Sequence, residues 1–335
     1  MPELRLNLVT REWVIISTKR AIRPDDFRGS NNGLPLAEFV ESCPFCPGNE
    51  EKTPPESLRI NDDTRGGKNS WRVRVIPNKF SALTTEGEKE RCHEGTRRRV
   101  SGVGRHEVII ETPFHNLNPA TLDIPRLAEL LRIYRERFLD AYNDHRVEHV
   151  IIFRNHGEQA GTSLEHPHSQ LIATPVVPLQ FRDRVQAAMH YFDDTGHCLL
   201  CEIVKAELKD KKRIILETED FITFIPYAAV GPYQTWIFPK RHSATFASIT
   251  DFESEALATH LKAILSKLYF GLGDPDYNYV IRTSRPKDLT NEYCHWYVSI
   301  HPRLSKAAGF ELGTGMHINS SRPEVDAEFL RSVKI

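Results

Sequence analysis

Residues 166–170 read HPHSQ and place two imidazoles and a carboxamide on alternate positions. In an extended segment these three side chains point to the same face of one strand. That face would carry a metal ligand, a nucleophile and a hydrogen-bond donor together. A polar loop containing Gly157 and Gly161 precedes the segment and suits a backbone wrapped closely round a phosphate. The pattern predicts a site in which a histidine contacts a bound phosphate group. Paired histidines also occur on ordinary solvated strands.

A set of cysteines and histidines supports the chemical interpretation. Cys43 and Cys46 have the two-residue spacing of a metal-binding pair, and His115 follows a later apolar strand. Together with His166 they supply two thiolates and two imidazoles. This number and type of ligands is what a closed tetrahedral zinc site needs.

The same order of ligands recurs in the second half of the chain. Cys198 and Cys201 are followed by His242 and then by His295, and the two histidine separations are nearly equal in the two sets. Each half also carries an apolar strand before its first histidine. Repetition of both element order and ligand order indicates an internal duplication.

The elements between the ligands repeat as well. Apolar residues at helical spacing predict amphipathic helices over about 124–143 and 252–270. A strand follows each helix, at 147–153 and at 277–282. These helices and strands are expected to form the core.

The two copies differ in their reactive residues. We align the last histidine of each set, His166 with His295. Tyr297 then falls at the position of the second histidine of HPHSQ, and Ser299 falls at that of the glutamine. The first half should therefore carry the catalytic residues, and the second should have a mainly structural role. His301 is interpreted as an ordinary strand residue.

Composition indicates a soluble enzyme in the cytoplasm. The net charge is −1, so the overall charge gives no electrostatic reason to expect binding to nucleic acid or to a membrane surface. We expect no membrane span and no signal segment. Six cysteines, four of them in spaced pairs with histidine partners, fit metal binding better than disulfides. The length allows two domains, and the prolines at 175 and 178 end the HPHSQ strand, so we expect domains at 1–180 and 181–335.

The chain resembles the galactose-1-phosphate uridylyltransferases and the related nucleotide-sugar phosphorylases, a branch of the histidine-triad superfamily. The resemblance covers nearly the whole chain, and the order of its motifs is specific. Besides His115, it rests on residues 11–14, 20–24, 43–46, 77–80, 166–170 and 309–315. It implies an α+β fold of duplicated histidine-triad-like units, each an antiparallel sheet with a packed helix, and a homodimer.

The resemblance also implies a two-step nucleotidyl transfer. His168 would attack the α-phosphorus of a nucleoside diphosphate sugar, expel the sugar 1-phosphate and carry the nucleotide to a second phosphate-bearing acceptor. The backbone carbonyl of His166 would hold the other ring nitrogen. Gln170 would donate its amide to the nonbridging phosphate oxygens.

Further residues match positions that bind substrate in the family. The phosphate-binding loop is matched by Asn155, Gly161, Thr162 and Ser163. Positions near the nucleotide or its phosphates are matched by Arg20, Arg23, Asn78 and Phe80. Glu311 is a candidate for binding sugar hydroxyls. In a purely structural interpretation, the two arginines are surface charges and Phe80 is a core residue.

Zinc is the expected cofactor, in two structural sites per chain. With all four positions filled by protein, the metal would bind no substrate and would instead fix the chain around the reactive strand. The second site departs from those relatives that hold iron there, and its two cysteines favour zinc.

The substrates are the least determined part of the prediction. We favour uridylyl transfer from UDP-glucose to galactose 1-phosphate, with phosphorolysis of ADP-glucose as the alternative. Thr162 and the 309–315 segment depart from the best-known uridylyltransferase pattern. A nucleotide hydrolase is disfavoured by Gln170, because hydrolases of the superfamily usually place a third histidine there. A non-catalytic zinc scaffold would leave His168 and Gln170 unexplained.

Overall fold

The computed structural model describes residues 1–17, 36–62 and 70–335. The first half contains β1 (Glu3–Leu6), β2 (Trp13–Ile16), β3 (Leu58–Asn61), β4 (Trp71–Pro77), β5 (Arg91–Glu94), β6 (Arg97–Val100), β7 (Arg105–Ile110), α1 (Ile124–Ala141), β8 (His149–His156) and β9 (His168–Thr174). The second half contains α2 (Leu179–Thr195), α3 (Leu199–Asp210), β10 (Ile214–Glu217), β11 (Phe221–Phe224), β12 (Thr235–Pro239), α4 (Asp251–Leu272), β13 (Tyr277–Arg282), β14 (Tyr297–Pro302), α5 (Gly309–Thr314), β15 (His317–Asn319) and α6 (Pro323–Ser332).

One antiparallel sheet of ten strands forms the centre of the described structure. Its order is β10-β11-β12-β14-β13-β8-β9-β7-β4-β3. The order β3-β4-β7-β9-β8 in the first half matches β10-β11-β12-β14-β13 in the second, and a long helix follows the third strand of each set. The predicted duplication is therefore visible in the topology, and the predicted α+β fold is confirmed.

The two halves join edge to edge. Strands β8 and β13 pair in antiparallel register, with Phe153 opposite Val280. Because each half contributes its innermost strand, neither sheet keeps a free edge at the centre of the molecule. The two five-stranded sheets of the duplicated units thus become one continuous surface.

Helices α1 and α4 pack on the same face of this sheet and contact each other. The Asp123 side chain accepts a hydrogen bond from the Arg126 backbone at the start of α1, and Thr250 and Glu253 form a capping box at the start of α4. Both helices begin within a residue of their predicted starts. Their buried faces, with Leu131 and Leu261 among them, form the main hydrophobic core.

The chain ends are tied to the second half. Strands β1, β2 and β15 form a small separate sheet in which β15 runs parallel to β2. Val9 packs in the same cluster as Cys198 and Trp236. The division into domains at residue 180 stays a prediction; α2 begins beside it, at Leu179. Across the described ranges, no helix combines the length and apolarity that crossing a bilayer requires.

Candidate active site

Strand β9 presents different chemistry on its two faces. Leu171 and Ala173 are fully buried in the core beneath α1 and α4. Because side chains alternate along a strand, His168 and Gln170 point to the opposite face of the sheet. On that face Gln170 has Val108 of β7 as one neighbour and Phe153 of β8 as the other. The segment 166–170 is extended only from His168 onward, so His166 lies in the loop entering the strand.

The imidazole of His168 is held in one tautomer. Its Nδ1 lies 2.8 Å from the carbonyl oxygen of His166, which can only accept, so Nδ1 donates and Nε2 carries the free lone pair. Burial, with the positive charge of Arg154 adding to it, lowers the pKa of His168, although the hydrogen bond to His166 opposes the shift. The edge of the Phe45 ring packs against the imidazole. The result is a neutral histidine with a single available nucleophilic nitrogen.

Gln170 is in contact with a third histidine that we did not single out from the sequence. Oε1 of Gln170 lies 2.7 Å from Nε2 of His106. Asn78 also approaches this nitrogen, with its Nδ2 at 3.1 Å. The sequence signal for His106 is weak: it is a polar residue two positions before Val108 on an apolar strand, far from HPHSQ in the chain.

A buried ion pair lies beside strand β9. Arg154 and Glu111 are both almost fully buried, and the Arg154 guanidinium donates to the Glu111 carboxylate and, at 3.4 Å, to the carbonyl oxygen of His168. Burial lowers the pKa of Arg154, but the charge of Glu111 more than offsets this and the net shift is upward. Arg154 therefore keeps its charge, and its guanidinium connects the Glu111 carboxylate to the backbone of His168.

A chain of hydroxyl groups extends this connection to the second half. The Tyr134 hydroxyl lies 3.2 Å from a carboxylate oxygen of Glu111, to which it can donate. Its oxygen also lies within hydrogen-bond distance of the hydroxyls of Ser169 and Tyr279, the latter at 2.7 Å. Ser169 is fully buried and its hydroxyl contacts Tyr134 of α1, so it faces the helix side of the sheet, opposite to His168. Since Tyr279 belongs to β13, strand β9 is fixed by groups from both copies of the duplication.

The loop after β8 is also supported by the second half. Gly157 has φ 82°, and a Cβ at this position would lie 1.9 Å from Oδ1 of Asp276. The other oxygen of Asp276 accepts from the Gln159 amide at 2.6 Å. The amide of Asn278 donates to the Asn155 side chain at 2.7 Å and to the carbonyl of Ala160 at 2.9 Å. The loop conformation is thus specified by two residues that sequence reasoning missed.

The four residues of the predicted phosphate-binding loop lie at the end of β8 and in the turn that follows it. Asn155 uses its Oδ1 to accept from Asn278, which leaves its amide hydrogens available to a ligand. Thr162 has a buried hydroxyl that makes no hydrogen bond within the described ranges. Gly161 and Ser163 are exposed. The segment therefore offers donors at the end of β8, on the strand that neighbours His168.

The first cysteine and histidine cluster has the geometry of a tetrahedral metal site. Bond lengths of about 2.3 Å to sulfur and 2.0 Å to nitrogen place such ligands roughly 3.6 Å apart in a tetrahedron. Cys46 Sγ lies 3.6 Å from Nδ1 of both His115 and His166, and Cys43 Sγ lies 3.7 Å from Nδ1 of His166. Nε2 of His166 donates to the carbonyl of Thr112 at 2.8 Å, which leaves Nδ1 free for the metal.

The second cluster repeats this arrangement. Cys201 Sγ lies 3.3 Å from Nδ1 of both His242 and His295, and the ligand atoms of these residues and Cys198 all fall within 4.8 Å of one another. The Nε2 groups of His242 and His295 donate to backbone carbonyls at 3.0 and 3.1 Å. Both donor sets, two thiolates and two imidazoles, fit zinc. The structure thus brings together each predicted set of ligands.

The remaining predicted residues are placed as follows. Phe80 is 85% exposed, so its interpretation as a core residue is wrong. Glu311 lies in α5, where its carboxylate accepts from the Ala308 amide. Arg20 and Arg23 lie outside the described residues. His301 is a residue of β14 whose Nε2 lies 2.8 Å from the Ser299 hydroxyl, and burial lowers its pKa to about 3.

Comparison with known families agrees with this site. The family model described as galactose-1-phosphate uridyl transferase, N-terminal domain, matches residues 1–178, and the model of the C-terminal domain matches residues 184–322. The chain belongs to the galactose-1-phosphate uridylyltransferase family. Enzymes of this family and the related ADP-glucose phosphorylases are nucleotidyltransferases, and the chain is an enzyme of this class.

Members of the family with known activities differ in their similarity to this chain. ADP-glucose phosphorylase of Arabidopsis thaliana is 38% identical over all of this chain and 93% of its own length. Galactose-1-phosphate uridylyltransferase of Thermotoga maritima is 27% identical over all of this chain and 99% of its own length.

The fold agrees with solved family structures. The crystal structure of an Arabidopsis thaliana ADP-glucose phosphorylase with bound ADP-glucose has a TM-score of 0.83 at 35% identity, covering 100% of this chain and 99% of that one. A uridylyltransferase structure has a TM-score of 0.74 at 28% identity, covering 99% and 98%.

Proposed function

We propose that this enzyme is an ADP-glucose phosphorylase that works through an adenylyl-histidine. The support for the adenine nucleotide is the higher identity to an ADP-glucose phosphorylase, 38%, than to the T. maritima uridylyltransferase, 27%, over the whole chain in both cases. Uridylyl transfer between UDP-glucose and galactose 1-phosphate, which we favoured from the sequence, has less support and is the second candidate. The departures at Thr162 and in the 309–315 segment agree with this order.

The reaction proceeds in two displacements at one phosphorus atom. Nε2 of His168 attacks the α-phosphorus of ADP-glucose, and the bond to the bridging oxygen breaks, so glucose 1-phosphate leaves with the electron pair. An oxygen of inorganic phosphate then attacks the same phosphorus. The bond to Nε2 breaks, ADP forms and neutral His168 is regenerated.

The observation that carries this mechanism is the hydrogen bond from His168 Nδ1 to the carbonyl of His166, at 2.8 Å. It makes Nε2 the nucleophile without a separate base, because the neutral imidazole already has its lone pair there. As the phosphoramidate forms, the ring becomes positively charged and the same carbonyl stabilises the Nδ1–H. Burial of the ring favours return to the neutral state, which favours breakdown of the intermediate.

Other residues of the site stabilise the phosphate rather than react. Gln170 would donate its amide to nonbridging oxygens of the α-phosphate, where charge is distributed in the transition state. Asn155 and the Thr162 hydroxyl lie on the loop segment next to it and would bind the second phosphate or the acceptor. Asn78 and exposed Phe80 would contact the nucleotide, and Glu311 the sugar.

Two zinc ions per chain would fix the fold around this site. The first would be held by Cys43, Cys46, His115 and His166, and the second by Cys198, Cys201, His242 and His295. With four protein ligands each, they would supply structural stability and no open coordination position. The active form is proposed to be a homodimer, as the family resemblance implies.

The test is a product analysis with paired substrates. Purified enzyme is incubated with ADP-glucose and ³²P-labelled inorganic phosphate, and in parallel with UDP-glucose and galactose 1-phosphate. A phosphorylase transfers the label to the β-position of ADP and releases unlabelled glucose 1-phosphate. Faster formation of UDP-galactose in the parallel reaction would contradict the proposal in favour of the uridylyltransferase.

A further inference from the structure

His106 has no role in the proposed mechanism, yet it contacts the carboxamide of Gln170. It lies on β7, and the register places Val108 opposite Gln170, so His106 is the next residue along on the same sheet face. The imidazole is partly buried. The contact of 2.7 Å between His106 Nε2 and Gln170 Oε1 is the only side-chain hydrogen bond of Gln170 among the described residues.

The surroundings of His106 fix which ring nitrogen carries the proton. Nε2 lies 2.7 Å from the carboxamide of Gln170, which can accept through its oxygen or donate through its nitrogen, so the proton is placed by the contact on the other side of the ring. The backbone N–H of Ala82 points to Nδ1 at 3.4 Å and can only donate, so Nδ1 is unprotonated. In the neutral ring the proton is therefore on Nε2. Nδ2 of Asn78 lies 3.1 Å from the same nitrogen and is also a donor, so it makes no hydrogen bond to the protonated Nε2; the shorter contact, to Gln170, is the one that this N–H makes.

The orientation of the Gln170 amide follows from this tautomer. A carboxamide that rotates freely presents its oxygen or its nitrogen to a ligand, and an oxygen facing a phosphate would be repulsive. Because the Nε2–H of His106 binds Oε1, the amide nitrogen is the end left for the substrate. The Asn78 side chain is oriented by the Phe80 backbone amide, which donates to its Oδ1 at 2.8 Å, so its nitrogen faces Nε2 of His106.

We propose that His106 is a positioning residue that holds the Gln170 carboxamide with its N–H bonds directed at the transferring phosphoryl group. It does so from a strand adjacent to the reactive one, without contacting the phosphate itself. The inference rests on the proposed nucleotidyl transfer by His168. It predicts that His106 acts on the rate of the chemical step and only through Gln170.

A double-mutant cycle tests this dependence. The rate of nucleotidyl-His168 formation is measured by rapid quench in single turnovers with ADP-glucose and with UDP-glucose, for His106→Leu, Gln170→Ala and the double variant. His106→Leu should slow the step at saturating substrate by roughly 100-fold, the effect of a misplaced catalytic group. The half-saturating concentration should stay nearly unchanged. In the Gln170→Ala background, His106→Leu should have no further effect.

Two further variants separate positioning from packing. His106→Gln puts an amide N–H where Nε2 lies and should recover most of the lost rate. His145→Leu, which changes an exposed histidine in a turn, should match the wild type. Equal slowing by His106→Leu in both backgrounds, or a His106→Gln variant no faster than His106→Leu, would overturn the proposal.

Failure of the proposed function gives a different result. If the wild type forms no adduct with either nucleotide sugar, nucleotidyl transfer is refuted for these donors, whatever His106 does. The orientation is then tested by the ¹⁵N chemical shifts of the His106 ring at neutral pH. A protonated Nε2 and an unprotonated Nδ1 are expected, and a protonated Nδ1 would overturn the inference independently of activity.

Discussion

The carbonyl oxygen of His166 lies 2.8 Å from Nδ1 of His168, while Nδ1 of His166 belongs to the first cysteine and histidine cluster. One residue thus connects the proposed metal site to the proposed nucleophile, through its side chain on one side and its backbone on the other. Displacement of His166 would therefore change both the stability of the fold and the tautomer of His168.

Loss of a first-site ligand should show this connection. Cys43→Ser is expected to reduce bound zinc from two to one per chain and to lower the free energy of unfolding by about 4 kcal/mol or more, because a structural metal is lost. The rate should fall as well, since His166 is no longer fixed. Metal content by mass spectrometry and unfolding in urea measure both effects. Cys92→Ser, at a cysteine outside both clusters, is the control and should keep two zinc ions.

The buried pair beside strand β9 should be costly to break. Arg154→Met leaves the Glu111 carboxylate buried without its cation and is expected to lower the free energy of unfolding by about 3–5 kcal/mol. Lys205→Met removes an exposed ion pair with Glu202 and should cost at most about 1 kcal/mol. Similar unfolding midpoints for the two variants would contradict the assignment of a structural role to Arg154.

The close contact at Gly157 gives a prediction for the loop. Gly157→Ala adds a Cβ that would overlap the Asp276 carboxylate, and its φ of 82° is strained for alanine. Gly196 has a similar φ of 70° but no atom near its Cβ position, so Gly196→Ala isolates the backbone strain, about 1–2 kcal/mol. We expect Gly157→Ala to lose more stability than this control and, unlike it, to lose activity. If Gly157→Ala and Gly196→Ala changed stability and activity equally, Asp276 would not specify the conformation of the loop.

Stability should fall in mild acid because His260 is buried in its neutral form. Its ring lies between the hydroxyls of Thr218 and Thr223, and burial, with Lys240 adding to it, lowers its pKa from 6.5 to about 4. Below pH 6.5 the unfolded chain binds a proton that the folded chain does not. The contribution of neutral His260 to the free energy of unfolding is therefore fully present above pH 6.5. It is lost by about 1.4 kcal/mol per pH unit as the pH falls towards 4.

The matched variant for this titration is His260→Gln, which keeps two hydrogen-bonding groups but does not titrate. The difference in unfolding free energy between wild type and variant, measured from pH 7.5 to 5.5, should change in the variant's favour as the pH falls. Both proteins share the acid sensitivity of the metal sites, so it cancels when the unfolding free energy of one protein is subtracted from that of the other at each pH. A difference that is constant with pH would refute the account.

Local patterns allowed much of this structure to be predicted from sequence. The strand Tyr277–Arg282 lies where it was predicted, directly after the second long helix. Helices α1 and α4 begin within a residue of the predicted positions, because their apolar spacing is local. Both ligand clusters were predicted because thiolate and imidazole spacing is itself chemical information. The pairing of β8 with β13 was not, since strand register depends on contacts between distant segments.

The same distinction applies to the active site. His168 and Gln170 are recognisable because they share one short motif. His106, Asp276 and Asn278 are not, because each reaches the site from another strand or from the other half of the chain, and a single polar residue on a strand has no distinctive signal. The resemblance to a family supplied the reaction class. The preference for uracil, which we took from the sequence, has the weaker support.

The most direct test of the central claim is the intact mass of the protein after incubation with ADP-glucose or UDP-glucose in the absence of an acceptor. We predict an adenylyl adduct on the wild type, its absence in His168→Asn, and its discharge to ADP when inorganic phosphate is added. A uridylyl adduct alone would reassign the enzyme to uridylyl transfer. No adduct from either nucleotide sugar would contradict the covalent mechanism at His168.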